Sequence, residues 1–154
     1  MTIQARHMML ADVVTLSPEL SLIGAHRVLS ADSISGAPVV DGDDQVCGVI
    51  SASDLIQAVV NEHDTGLSRF DYFRDCLPYP SNDWVGGGER FVDRASELTV
   101  GDVMTKQIVS VGPEDSIQEV AVTLKHHHVH RVLVLDRGQL LGIISSFDFV
   151  DLFA

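Results

Sequence analysis

The stretch GVISASDL at Gly48–Leu55 recurs as GIISSFDF at Gly142–Phe149, and this repetition decides the fold. In both places an apolar run ends in a serine, and an aspartate follows three positions later. An apolar run that ends in Ser-x-x-Asp is typical of a strand that leads directly into a helix. The sequence therefore predicts the same strand-to-helix unit twice.

The repetition extends upstream of these two stretches. Val13–Glu19 recurs as Ile108–Glu114, 95 positions later, and Val39–Asp41 recurs as Val134–Asp136 at the same distance. The distance is 94 for the Ser-x-x-Asp stretches, so the second copy lacks one residue in the turn before them. Two copies are too few for a solenoid, and we therefore expect a pseudo-twofold pair with two equivalent clefts.

Each copy predicts the element order strand, helix, strand, strand, helix. The fold class is therefore α/β (α+β), with two pseudo-symmetric β-α-β-β-α repeats. The first repeat is assigned to 8–60, with a strand at Val13–Leu16, a helix that begins at Ser21 and a hairpin turn at Asp41–Asp44. The second repeat is assigned to 98–154.

The second repeat carries clear local signals. Ser116 and Glu119 have the spacing of a capping box, in which the hydroxyl and the carboxylate accept from the first free amides of a helix. Gly138 suits the tip of the second hairpin because glycine adopts positive φ without strain. Cys47 lies within an apolar strand run and is interpreted as a small core residue.

An aromatic insert separates the two repeats and is assigned to 61–97. Pro78 and Pro80 exclude a helix around them. We expect the insert to lie outside the core, either as a solvent-facing linker that begins with some helix or as a docking element or lid, since exposed aromatic side chains often mark interfaces. Its aromatic residues are Phe70, Tyr72, Phe73, Tyr79, Trp84 and Phe91.

Composition narrows the classes of function. The formal net charge of −12 disfavours nucleic acid and anionic membrane surfaces, which need a basic footprint. No run approaches the ~18 apolar residues that span a bilayer, and no secretion signal is recognisable. Two cysteines, Cys47 and Cys76, are too few for a disulfide framework, so we expect reduced thiols and a cytoplasmic location.

At this level of detail the chain resembles a tandem cystathionine-β-synthase (CBS) domain pair, often called a Bateman module. The resemblance implies a four-layer αβ arrangement, two clefts between the repeats that often hold AMP, ADP, ATP or S-adenosylmethionine, and pairing of two modules into a flat disc. No further cofactor is implied. The segments that carry the resemblance are 101–105 (GDVMT), 36–41 (GAPVVD), 130–136 (HRVLVLD) and the two Gly-x-x-Ser-x-x-Asp stretches.

Both copies place a serine and an aspartate where ligand chemistry is expected. The carboxylates of Asp54 and Asp148 could each accept from both hydroxyls of a ribose, and Ser51 and Ser145 could meet a phosphate with the free amides of a helix start. Ordinary helix capping explains the same residues equally well. By the resemblance, segments 34–38 and 129–133 would line an adenine pocket together with Thr15, Leu16, Ala37, Pro38, Ser110 and Val111.

The histidine cluster HHHVH at 126–130 allows three interpretations. It could bind Zn²⁺ or Ni²⁺, although no cysteine is nearby and adjacent helical residues face different ways. By the resemblance, His127, His128, His130 and Arg131 would point at ligand phosphates. The cluster could also be a solvated helix end that complements the helix dipole. The first copy has no positive charge at the corresponding places, which disfavours a phosphate-rich ligand there.

No catalytic constellation and no metal site are predicted, so an enzyme is the least favoured class. The favoured hypothesis is a regulatory module that binds an adenine nucleotide or S-adenosylmethionine and modulates an unknown partner protein. The alternative is a ligand-free dimerisation or adaptor protein that uses the aromatic insert for partner binding. We also predict a homodimer, because the helices after Ser51 and Ser145 carry apolar residues on more than one face.

Overall fold

The computed structural model describes residues 2–60, 71–74 and 95–154. The helices in these ranges are α1 (Ala5–Met8), α2 (Leu22–Ala31), α3 (Ala52–Val60), α4 (Asp71–Arg74), α5 (Val100–Val103), α6 (Ile117–His127) and α7 (Ser146–Asp151). The strands are β1 (Gly36–Val40), β2 (Val46–Ser51), β3 (Ser110–Val111), β4 (Arg131–Asp136) and β5 (Gln139–Ser145). Two small sheets with helices around them confirm the predicted fold class.

The two repeats build matching sheets. Strands β1 and β2 pair antiparallel, as do β4 and β5, while β3 adds to β4 in parallel. The predicted first strand at Val13–Leu16 is wrong in extent, because only Leu16 pairs with β1. Its amide donates to Pro38 O at 3.0 Å and its carbonyl accepts from the Val40 amide at 2.9 Å, which is a single parallel bridge.

Local capping follows the sequence signals. Ser21 Oγ accepts from the Gly24 amide at 3.1 Å at the start of α2. In the capping box of α6, the Ser116 amide donates to Glu119 at 2.7 Å and the Glu119 amide donates to Ser116 Oγ at 3.2 Å. Gly138 has a φ of +83°, as the hairpin turn requires.

The short helices near the starts of the two repeats, α1 and α5, are exchanged between the repeats. The Ala5 amide of α1 donates to Asp115 O of the second repeat at 2.8 Å, and the Val100 amide of α5 donates to Leu20 O of the first repeat at 2.8 Å. Each helix thus packs on the other repeat rather than on its own. The exchange joins the two repeats into one unit with approximate twofold symmetry.

The exchange has the same geometry in both repeats, and this geometry explains the two glycines that open the repeated stretches. A Cβ at Gly48 would lie 2.9 Å from Thr105 O, and a Cβ at Gly142 would lie 2.7 Å from Leu10 O. These distances are shorter than ordinary van der Waals contact, so the exchanged segments can pair with β2 and β5 only if both positions lack a side chain.

The core consists of two clusters, one for each repeat. Ile50 and Leu55 are fully buried in the first, and Val132 and Ile144 are fully buried in the second. The partly exposed thiol of Cys47 packs against the first cluster, and burial raises its pKa. The described helices include none that is long and apolar enough to cross a membrane.

The prediction that the whole insert lies outside the core is wrong. Tyr72 is 3% exposed and Phe73 is fully buried, and both belong to the cluster of the second repeat. Ala95 is likewise buried in the first cluster. The reason is that α4 lies against β2, α3 and β4, where the two repeats meet. The predictions for Phe70, Pro78, Tyr79, Pro80, Trp84 and Phe91 lie outside the described residues.

Candidate functional site

A cavity of about 310 Å³ lies between the two repeats, and both repeats contribute to its walls. We call it the open cleft. Its size falls at the lower end of the ~300–1,000 Å³ that small-molecule sites occupy. It is lined by Leu10, Asp12, Val13, Val14, Ile34, Gly36, Pro38, Tyr72, His130, Arg131, Ile143, Ser145, Ser146, Phe147 and Asp148.

Asp148 and Ser145 supply the carboxylate and hydroxyl of the open cleft. They sit at the junction of β5 and α7, where the Ser145 amide donates to Asp148 Oδ2 at 2.7 Å and the Ser145 hydroxyl donates to the same oxygen at 3.4 Å. These bonds fix the orientation of the carboxylate. Because both use Oδ2, the lone pairs of Oδ1 remain for a ligand.

Arg131 provides the fixed positive charge. Its Nη2 donates to Ser35 Oγ at 3.3 Å, and its guanidinium carbon lies 4.9 Å from the centre of the Tyr72 ring. The guanidinium is therefore positioned by a hydroxyl from the first repeat and an aromatic ring from the insert. A planar cation held in this way can pair with a carboxylate or a phosphate.

His130 is held through its backbone on both sides. Its amide donates to Phe73 O at 2.8 Å, and its carbonyl accepts from the Ser146 amide at 2.8 Å. The exposed imidazole reaches the cleft from a fixed main chain. The cleft thus contains the carboxylates of Asp12 and Asp148 against the single guanidinium of Arg131 and this imidazole.

Tyr72 is the aromatic residue of the insert that lines the open cleft. Burial raises the pKa of its phenol to about 12, and the positive charge and hydrogen bond of Arg131 oppose that rise only in part. The phenol is therefore neutral at physiological pH, so Tyr72 adds no negative charge to the lining of the open cleft.

The structure brings together five of the fourteen predicted site residues in the open cleft: Pro38, His130, Arg131, Ser145 and Asp148. His127 and His128 are exposed at the C-terminal end of α6, where His128 has a φ of +55°. Thr15 lines a shallower depression beside the two hairpin turns. Leu16, Ala37, Ser51, Asp54, Ser110 and Val111 are not part of the lining of the open cleft.

Ser51 and Asp54 form the counterpart of the Ser145 and Asp148 pair in the first repeat. The Ser51 amide donates to Asp54 Oδ2 at 2.9 Å, and the Asp54 amide donates to Ser51 Oγ at 3.2 Å. Ser51 is fully buried, whereas Ser145 is partly exposed. The two pairs therefore have the same local geometry and different access.

Sequence reasoning missed Asp12, Tyr72 and Phe147 as cleft residues. Asp12 follows the exchanged segment, and its approach to the second repeat depends on that exchange. Phe147 occupies a variable position of the Ser-x-x-Asp pattern. Its place between Ser145 and Asp148 is the sequence signal that could have indicated it. Among the described residues, no group of three or more His, Cys, Asp or Glu side chains could hold a metal ion.

Comparison with protein-family models identifies the family of the chain. The family model described as CBS domain matches residues 5–61 and 100–154, so the chain is a member of the CBS domain family and carries two such domains. This confirms the tandem CBS pair. The matched ranges leave residues 62–99, which include α4, outside both domains.

Related proteins differ in how much of their own length this chain covers. The chain is 28% identical over 133 residues to uncharacterized protein MJ1426 of Methanocaldococcus jannaschii, with 84% of this chain and 79% of that protein covered. It is also 28% identical to inosine-5'-monophosphate dehydrogenase of Bifidobacterium longum, with 92% of this chain covered. The chain spans only 21% of that enzyme's length.

Solved CBS structures share the fold. The CBS domain of a membrane protein from Sphaerobacter thermophilus is 26% identical, with a TM-score of 0.72 and coverage of 98% of this chain and 88% of that one. The CBS domain pair of protein MJ0100, in complex with 5'-methylthioadenosine and S-adenosylmethionine, is 17% identical, with a TM-score of 0.65. Coverage in that comparison is 99% of this chain and 96% of the other.

Proposed function

We propose that the chain is a non-catalytic regulatory module that binds one adenosine-containing small molecule in the open cleft. The observation that carries the proposal is the convergence of Asp148, Ser145 and Arg131 on one partly apolar cavity between the repeats. A small number of polar groups in a mostly apolar cavity is the usual composition of a small-molecule site. The ligands of the CBS domain pair of MJ0100 support the same chemical class.

Each part of the ligand has a matching group. Asp148 Oδ1 accepts from the ribose hydroxyls, while Ser145 holds the carboxylate in place. Val14, Ile34 and Pro38 provide apolar surface for the base. Arg131 and His130 face the substituent at the 5' position of the ribose. The predicted roles of these residues therefore combine both repeats in one site.

Charge favours a ligand with few negative groups. The cleft contains two carboxylates, Asp12 and Asp148, and the protein carries a formal net charge of −12. One guanidinium balances one anionic group of a ligand locally. The additional negative charges of a triphosphate would be repelled by the net negative charge of the protein. We therefore expect S-adenosylmethionine, 5'-methylthioadenosine or AMP to bind more tightly than ATP.

Regulation would follow from a difference in ligand affinity between two arrangements of the repeats. The cleft walls come from both repeats, so a bound ligand contacts both at once and favours the arrangement that fits it. An unknown partner protein would read that arrangement. We place this module in the cytoplasm, where adenosine-containing metabolites are available.

Calorimetry with S-adenosylmethionine, 5'-methylthioadenosine, AMP, ADP and ATP tests the proposal. We expect Asp148→Ala to lose about 1.5–3 kcal/mol of binding free energy, roughly tenfold to a hundredfold in Kd, because charge-assisted hydrogen bonds to ribose disappear. Asp54→Ala, which removes the matching carboxylate of the first repeat, is the control and should bind as the parent does. Equal binding by Asp148→Ala, or no binding of any of the five compounds below millimolar, would favour the ligand-free adaptor.

A further inference from the structure

Pseudo-twofold symmetry requires a second cleft, which we call the closed cleft, built around Ser51 and Asp54. Four apolar residues of the open cleft identify its walls by their counterparts in the other repeat. Ile143, Val14, Ile34 and Pro38 correspond to Val49, Val109, Val129 and Leu133 at distances of 94 or 95 residues. The backbone is also equivalent, since the Ala52 amide donates to Ser35 O at 2.7 Å as the Ser146 amide does to His130 O.

Three of the four apolar wall residues of the closed cleft, Val49, Val109 and Val129, are more buried than their counterparts in the open cleft, whereas Leu133 and Pro38 are both buried. Val14 is 36% exposed and its counterpart Val109 is 4% exposed. Val49 and Leu133 are fully buried, and Ser51 is buried where Ser145 is partly exposed. Because the two repeats have the same fold, some other part of the molecule must cover these residues.

Helix α4 of the insert accounts for this burial. Tyr72 and Phe73 belong to the same buried cluster as Val49, Val109, Val129 and Leu133. The helix lies against β2, α3 and β4, which are the elements that form the closed cleft. The His130 amide bonds Phe73 O at 2.8 Å, so main-chain pairing as well as apolar contact holds α4 there.

The position of Tyr72 links the two clefts. It packs edge-to-face on Phe73 with ring centres 5.0 Å apart, and it also lines the open cleft beside Arg131. Gly36 accommodates it, since a Cβ there would lie 2.6 Å from Tyr72 Cδ2. Phe73 thus faces one cleft while Tyr72 forms a wall of the other.

We propose that Tyr72 and Phe73 occupy the closed cleft as a built-in substitute for a ligand, so that each chain has a single cleft available to small molecules. We call these two side chains the plug. The CBS family model does not match this part of the chain, so the plug belongs to the insert rather than to either repeat. The fully buried Phe73 ring takes the place that apolar parts of a ligand would fill. The clefts consequently have different functions despite their symmetry.

Thiol accessibility tests the plug without any nucleotide. In a background that replaces Cys47 and Cys76 by alanine, Val14→Cys and Val109→Cys place one thiol at equivalent positions of the open and closed clefts. We expect Val109→Cys to react with an aromatic disulfide reagent at least about tenfold more slowly, because reaction requires local opening. Adding Phe73→Ala should bring its rate close to that of Val14→Cys.

Similar rates for the two thiols with Phe73 in place would overturn the proposal, and so would an unchanged rate after Phe73→Ala in a protein that circular dichroism shows to be folded. If Phe73→Ala does not fold, the comparison of the two thiols in the presence of Phe73 still decides. A second measurement rests on the proposed function. Calorimetry with whichever of the five compounds binds most tightly should give one site per chain, and two sites per chain would overturn the plug, whereas no binding of any of the five compounds would contradict only the proposed function.

Discussion

Gly36 shows how closely the insert is fitted to the repeats. A Cβ at this position would lie 2.5 Å from Ile50 O and 2.6 Å from Tyr72 Cδ2. One neighbour is a backbone atom and the other belongs to a buried ring, so neither can move aside easily. We expect Gly36→Ala to lower the free energy of unfolding by about 1–3 kcal/mol, the usual cost of overpacking. Urea denaturation measures this change.

The matched control for this substitution is Gly42→Ala. Gly42 has no heavy atom within 4 Å of the position that a Cβ would take. Its free energy of unfolding should stay within about 0.5 kcal/mol of the parent value, as for other surface substitutions. Equal effects at positions 36 and 42 would show that Tyr72 does not lie against Gly36 in solution.

Tyr72 predicts a specific loss of stability at high pH. Its pKa is raised in the folded protein from the ordinary phenol value of 10.0 to about 12, mainly by burial. The folded state therefore holds the phenol proton more tightly, so this contribution is complete below about pH 10 and is lost as the pH rises toward 12. Between these limits the free energy of unfolding should fall by about 2–3 kcal/mol more in the parent than in Tyr72→Phe.

Urea denaturation of both proteins at a series of pH values checks the alkaline prediction. Groups other than Tyr72 titrate equally in the two proteins and cancel in the difference. Parallel stability curves for the parent and Tyr72→Phe would mean that the phenol is solvated and that α4 does not bury it.

At the scale of elements, helix α6 is held at its start by a complete capping box. Ser116 and Glu119 exchange two hydrogen bonds there, of 2.7 and 3.2 Å. We expect Ser116→Ala to cost about 0.5–2 kcal/mol, the range measured for loss of an N-cap side chain. Thermal denaturation should show a lower Tm, and Ser30→Ala, on the exposed side of α2, is a control that removes a hydroxyl without removing a cap. An unchanged Tm for Ser116→Ala would contradict the capping box.

The elements also show what the sequence could predict. The repeat of apolar strands and Ser-x-x-Asp determined β2, β5 and the helices that follow them, because each depends on a local pattern. Helix α4 has four residues and is too short for any hydrophobic periodicity. Burial of Tyr72 and Phe73 depends on contacts with β2, α3 and β4, which no local pattern around α4 reveals, so their aromatic character alone suggested only an exposed insert.

The composition of the site could be predicted only in part for a similar reason. The Ser-x-x-Asp pattern and the resemblance together predicted Asp148, Ser145 and Arg131 as site residues, and all three line the open cleft. The exchange of α1 and α5 between the repeats has no signal in either copy alone, because a strand-like or helical pattern does not reveal which repeat it packs on. Asp12 reaches the open cleft as a result of that exchange.

At the scale of the whole molecule, the C-terminal helix α7 carries an exposed apolar surface. It contains no buried residue: Phe147 is 67% exposed and Val150 is 61% exposed, and Phe153, which follows the helix, is 89% exposed. Phe147 and Val150 are three positions apart and therefore share one face of the helix. A contiguous apolar face of this kind is typical of a surface that another protein covers.

We therefore expect two copies of the chain to associate through α7, since a self-complementary twofold contact is the simplest closed assembly. Light scattering should give twice the chain mass of 16.7 kDa at tens of micromolar protein. Val150→Glu should shift the mass toward that of one chain, because it places a charge in the centre of the contact. Val122→Glu introduces the same charge at a valine of α6 that is 65% exposed, and it should leave the dimer intact. A mass of one chain for the parent, or equal dissociation by both variants, would mean that α7 does not form the contact.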